Sequence, residues 1–181
     1  MKDLYTILYH RLLLLGLILF LSARATTLSA QVSIDPPSAD ICTGESVTLT
    51  VVADDPGNPP TTFSWSPVDG LDDPSAQVVN ATPAGTTTYT VTTDVGSTMV
   101  TVTVNPVPVI SNASGNNPTT CGGLGQIQLQ FEPTGVPDGT YTIDYDGGSF
   151  TDVQVISSLA TIPAPAGVYN NLSITVNGCT S

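Results

Sequence analysis

Thr87–Thr93 reads TTYTVTT and Thr98–Val104 reads TMVTVTV. Tyr89 and Val91 share one face of the first run; Val100, Val102 and Val104 share one face of the second. Successive side chains of an extended strand point to opposite faces. Apolar spacing of two, with β-branched residues on both faces, therefore predicts half-buried strands of an antiparallel sheet. The pattern continues outward: Ser46–Ala53 (SVTLTVVA) aligns Val47, Leu49 and Val51, and Thr61–Trp65 (TTFSW) aligns Phe63 with Trp65. About six such runs lie between Val32 and Val104, separated by turn clusters such as Asp54-Asp55-Pro56-Gly57-Asn58-Pro59-Pro60. No run in this region has a helical period.

Short strands at this spacing predict a β-sandwich of immunoglobulin type over residues 31–105. Trp65 follows the inward residues Leu49 and Val51 by 14 to 16 positions. Tyr89 stands two residues before Val91, as a corner tyrosine stands two before the second cysteine of an antibody domain. Apolar residues take the place of that disulfide, and both aromatics are expected in the core. Asn105-Pro106-Val107-Pro108 reads as a stiff boundary, because alternate prolines cannot continue a central strand. A second β-rich module is expected over residues 106–181, with strands at Ile127–Phe131, Thr140–Tyr145, Val153–Ile156 and Leu172–Val176. Ile162-Pro163-Ala164-Pro165-Ala166-Gly167 reads as a loop or edge segment. The fold class is thus all-β, two tandem small sandwiches.

Charge excludes much chemistry. The 3 Lys+Arg (Lys2, Arg11, Arg24) and the 1 His (His10) all fall within the first 24 residues. Of the 15 Asp+Glu only Asp3 lies there, so the remaining chain carries 14 carboxylates and no cationic side chain. Nucleic-acid phosphates would find nothing to neutralise them. A P-loop lacks its lysine, and a Ser-His-Asp triad or a zinc protease site lacks its histidine. A glycosidase pair needs two carboxylates roughly 5–10 Å apart across a cleft, for which two small sandwiches have little room. No enzyme is expected.

Met1-Lys2 followed by the apolar run Leu12–Leu21 (LLLLGLILFL) and small residues reads as a secretory signal peptide over residues 1–30. Small residues at −1 and −3 favour cleavage after Ala25 (Ala23-Arg24-Ala25), while the Arg inside that site makes cleavage after Ala30 (Leu28-Ser29-Ala30) a competitor. Ten apolar residues reach roughly 15 Å, too short for a membrane core, so no span is expected in the mature chain. Among the 3 cysteines of the exported part, Cys121 and Cys179 bracket the C-terminal segment and are expected to pair, leaving Cys42 over.

Ile41–Val51 (ICTGESVTLTV), Phe63–Pro74 (FSWSPVDGLDDP) and Thr82–Asp94 (TPAGTTTYTVTTD) resemble the Ig-like or PKD-like repeats of Bacteroidetes surface proteins. Asn116–Leu129 (NNPTTCGGLGQIQL) through Gly167–Ser181 (GVYNNLSITVNGCTS) resembles a second repeat of the same adhesin-like, gliding-motility-associated proteins. The two matches cover most of residues 32–181. The resemblance implies secretion by the type IX route, a repeat module in a surface adhesin or matrix protein, and no catalytic residue. Such Ig-like repeats often carry a cysteine near the last strand; Gly96-Ser97-Thr98 stands there, so Cys42 has no partner by this pattern. The family's proteins are also usually much longer and end in a sorting domain, which implies that this sequence is a fragment or truncated frame.

Carboxylate clusters at Asp69 with Asp72-Asp73, and at Asp144 with Asp146, are the candidate calcium ligands, since calcium takes 6–8 oxygens. Asp144-Tyr145-Asp146-Gly147-Gly148 opens like a calcium loop, but its continuation does not fit an EF-hand. The competing reading is turn-forming aspartate. Asn80, Asn112 and Asn171 begin N-x-Ser/Thr sequons, read as incidental. The expected function is a secreted, non-enzymatic spacer or adhesion module whose partner is an extracellular polysaccharide or protein. The rival is a carbohydrate-binding module, which requires exposed aromatics, with Trp65, Tyr145, Phe150 and Tyr169 as candidates.

Overall fold

A computed structural model of the chain describes residues 31–181; the expected signal peptide and its cleavage sites lie outside the described residues. The two alternating runs form β6 (Thr87–Thr93) and β7 (Ser97–Asn105), paired antiparallel with Tyr89 opposite Val100. Around them lie β1 (Val32–Asp35), β2 (Ala39–Cys42), β3 (Val47–Ala53), β4 (Phe63–Ser66) and β5 (Val78–Ala81). These make a three-stranded sheet, β1-β3-β5, and a four-stranded sheet, β2-β7-β6-β4. The opening strand is split by Pro36-Pro37: β1 pairs antiparallel with β3, whereas β2 crosses to pair parallel with β7. Pairing across two sheets in this order is an immunoglobulin-type sandwich.

Period-two spacing gives this sandwich its core. Val32 and Ile34, Leu49 and Val51, Val79 and Ala81, Tyr89 and Val91, and Val100 and Val102 are all buried at alternate positions of their strands. Trp65, opposite Val91, fills the middle at 2% exposure, and its indole Nε1 donates to the Ala76 carbonyl at 2.9 Å. The Tyr89 hydroxyl donates to the Asp69 carbonyl at 2.8 Å, and burial, followed by the Asp69 charge, pushes its pKa up. The loop carrying Asp69 can approach because of Gly70, at φ +79°, where a Cβ would meet the backbone of Thr82 and Pro83 at 3.0 Å. A side chain there would be strained twice over, by conformation and by contact.

Asp94 follows β6 and ties back the chain entering β4. Its carboxylate accepts from the Thr61 N–H at 2.9 Å and the Thr61 hydroxyl at 2.5 Å, which hold its pKa at about 2. The unfolded carboxyl titrates near ~3.9, so this stabilisation is complete above that pH and is lost as pH falls toward the folded value. Acid titration of stability should therefore steepen between about pH 4 and 2, and Asp94→Asn should flatten that segment while leaving neutral-pH unfolding cooperative. An unchanged acid profile in the variant would remove the pair from the account.

The second module holds β8 (Ile110–Asn116), β9 (Gly125–Phe131), β10 (Gly139–Tyr145), β11 (Gly148–Ile156), β12 (Leu159–Ala164), β13 (Ser173–Val176) and β14 (Cys179–Thr180). They form one sheet in the order β14-β13-β10-β11-β12-β9-β8. Ile127, Leu129 and Phe131 near one end share a single buried cluster with Ile143, Val155, Ile174 and Val176 toward the other. A flat sheet cannot bring these together, so the sheet wraps over itself. The first module's cluster, from Val32 to Val102, is separate.

One expectation is sharpened here and one corrected. Of the loop or edge segment expected over residues 162–167, Ile162–Ala164 ends β12, with Pro163 opposite Gln126 of β9, and residues 165–167 are the loop. Proline fits because β11 pairs with β12 only at Leu159 and Ala160, so the side of Pro163 that lacks an N–H has no ladder to complete. The disulfide joins Cys42 to Cys179, not Cys121 to Cys179. Cys42 ends β2 in register with Asn105, the last residue of β7, and the Cys179 sulfur lies 3.9 Å from the Asn105 carbonyl. Both cysteines therefore sit at the joint between modules. Cys121 is exposed in the turn beyond the far end of β8. A seven-residue strand spans roughly 20 Å at about 3.3 Å per residue, well out of bonding reach.

The joint is packed elsewhere too. Pro108 is buried against the turn at Gly135, where a Cβ would come within 2.9 Å of the Pro108 Cα. The Glu132 N–H donates to the Val109 carbonyl at 3.0 Å. Proline stiffness, turn packing and the disulfide thus act on one short stretch.

Candidate functional site

Of the five candidate calcium ligands, Asp69, Asp72 and Asp73 lie in the connection between β4 and β5, and Asp144 and Asp146 lie at the β10–β11 hairpin. Asp72 accepts from the N–H groups of Asp73 and Asn80, at 2.8 and 2.7 Å. Asp73 accepts from the Ser75 N–H and hydroxyl, which lowers its pKa. The backbone carbonyl of Asp69 accepts from the Tyr89 hydroxyl. Asp144 is exposed on β10, and Asp146 occupies the two-residue turn into β11, its carboxylate accepting from Asn171 at 2.8 Å. Among the described residues, no three His, Cys, Asp or Glu side chains converge on a metal-sized point.

The candidate sugar platform is also redistributed. Trp65 is in the core of the first module and leaves the set of exposed aromatics. Tyr145, Phe150 and Tyr169 do come together, half-buried, with ring centroids 4.8, 5.0 and 5.2 Å apart. Their tilted and edge-on faces pack against one another, a core-like arrangement rather than a flat row for a sugar. Spacing in sequence could not show this, because Tyr169 lies in the loop before β13 and reaches the β10–β11 hairpin through the pairing of β13 with β10.

Tyr169 also walls a concave feature of the second module. Its hydroxyl donates to the Pro165 carbonyl at 2.9 Å, and Asp146 N–H donates to Asn170 at 3.0 Å, which pin residues 165–172 in place. Between that loop and β8 runs a groove in two stretches of about 240 and 300 Å³. The larger is lined by Ala113, Ser114 and Gly115 of β8, Ile127 of β9, and Val168, Tyr169 and Leu172 among others. Neither stretch has a charged side chain in its wall. No local pattern signals this groove, since β8 (ISNASGN) has no apolar alternation.

The described chain is an all-β protein of two immunoglobulin-like sandwiches joined by a disulfide. No family model and no curated protein matches it. Among solved structures it is similar to a three-domain immunoglobulin segment of titin in an E-to-A mutated variant, with 13% identity, a TM-score of 0.49 and 84% of this chain covered. A second titin tandem has 12% identity, a TM-score of 0.33 and 82% coverage. Domains 1–6 of the surface layer protein SbsC have 14% identity, a TM-score of 0.32 and 82% coverage. The chain spans 63% of each titin segment and 23% of the surface-layer segment.

Proposed function

We propose that this chain is an exported, non-enzymatic spacer module that holds a neighbouring adhesive surface away from the cell. The observation that carries the reading is the clamped joint: Cys42 and Cys179 bridge the two sandwiches over a sequence separation of 137, beside the buried Pro108. A tandem whose joint can pivot transmits reach poorly; one held by a covalent bond and a packed proline acts as a single rod. Disulfides persist in oxidising compartments, which supports an extracellular site of action. The charge of the described residues, 14 carboxylates with no Lys, Arg or His, supports a soluble surface that repels nucleic acid and other acidic polymers. No helix among the described residues is long and apolar enough to cross a membrane.

Cys121 supplies the test, because it is exposed and outside the disulfide. On intact producing cells or in their medium, a membrane-impermeant maleimide should label Cys121 without prior lysis. Labelling that appears only after lysis would overturn the extracellular reading.

A further inference from the structure

Gln31 stands at the pole of the first sandwich away from the joint. Its carbonyl accepts from the Asp54 N–H at 3.0 Å, and a Cβ at Gly96, in the turn between β6 and β7, would stand 3.5 Å from its N. Cys42 stands at the opposite pole, in register with Asn105 at the end of β7. Between them the chain runs the length of the module once, as β1 beside β3 and then as β2 beside β7 in the other sheet. Nine-residue β7 spans about 30 Å at ~3.3 Å per residue, and the step between packed sheets takes about 10 Å more. From Gln31 to Cys42 a fully extended chain reaches roughly 40 Å, so this segment has slack on the order of 10 Å at most. Across the disulfide, β14 starts at the joint and runs away from it, antiparallel to β13, with the Ser181 N–H donating to the Ile174 carbonyl at 3.0 Å. The strands from β3 to β13 all lie inside the loop that the bond closes.

We propose that the Cys42–Cys179 bond is a mechanical bypass. Tension applied on the N-terminal side of Cys42 and the C-terminal side of Cys179 follows a covalent line along β1 and β2, across the bond and out along β14. The strands β3–β13 hang on that line as a closed loop and cannot be drawn out while the bond holds. Every residue of the second module's apolar cluster lies between Ile110 and Val176, inside the loop, so this module stays folded at loads that would otherwise unravel it. The bypass depends on the side of the bridge from which load enters, not on what lies further along the chain. It goes beyond the spacer reading, because resistance to bending at the joint and resistance to extension along the chain are separate properties. A joint that pivots would leave the bypass intact.

The test is single-molecule stretching of the full chain between handles fused to its two termini. The bond hides 137 residue steps, so the fully stretched oxidised chain should end ~490 Å shorter than the same chain reduced in place with dithiothreitol, at up to ~3.6 Å per step. No single step of the oxidised chain should approach that length. Cys42→Ser should match the reduced parent, and Cys121→Ser, which keeps the bond, should match the oxidised one. Final length does not depend on how stably a variant folds, so a poorly folded Cys42→Ser chain still reads out. Equal lengths before and after reduction would overturn the proposal. So would a shortening of only ~210 or ~280 Å, the values for a bond from Cys121 to Cys179 or to Cys42.

Discussion

Trp65→Ala is expected to lower the stability of the first sandwich by about 3–5 kcal/mol, enough to unfold a marginal module of this size. Trp65 is the only tryptophan in the chain and stands between the two sheets, in register with Val91. Truncation removes the largest buried side chain, leaves a cavity the sheets cannot close without losing register, and strips the Ala76 carbonyl of its donor. The loss should be local, because the second module's apolar cluster contains no residue of the first. Hydrogen exchange should show β6 and β7 amides opening while those of β9–β12 stay protected. A loss below about 1 kcal/mol, typical of surface positions, would contradict the placement of Trp65.

Removing the Cys42–Cys179 bond should have an effect of similar size. Chain-entropy reasoning for a bond closing 137 residues gives about 5 kcal/mol, and measured values more often reach 2–4. Cys42→Ser is the cleaner variant, because Cys179 is buried at 1% whereas Cys42 is partly exposed. Its melting temperature should fall well below that of the parent, and the same fall should follow reduction of the parent. Cys121→Ser, at an exposed turn, should change stability by no more than about 0.5 kcal/mol. A large loss in Cys121→Ser with none in Cys42→Ser would restore the pairing that bracketing in sequence suggested.

That pairing shows where sequence reading stops. The strands β3, β6, β7 and β9 were legible because apolar residues alternate with threonine or glutamine, and this alternation is the physical cause of their burial. The core roles of Trp65 and Tyr89 followed from spacing to the same faces. The disulfide was not legible, because it depends on the end of the sheet at which each cysteine lies, and that depends on strand direction. Asp54 through Pro60 and Asp144 through Gly148 were readable as turns, yet whether their carboxylates gather a cation or cap backbone N–H groups is decided by distances that composition does not contain. β8 was invisible, since it buries little and its residues are Ser, Asn, Ala and Gly. The groove it forms arises from the wrap of the seven-stranded sheet, which no local pattern records.

The rigid joint is the central claim, and backbone ¹⁵N relaxation of the oxidised chain tests it most directly. The account predicts one rotational correlation time for β1–β7 and β8–β14, and two shorter, distinct ones once Cys42→Ser removes the bond. Distinct correlation times for the two sandwiches in the oxidised protein would contradict it.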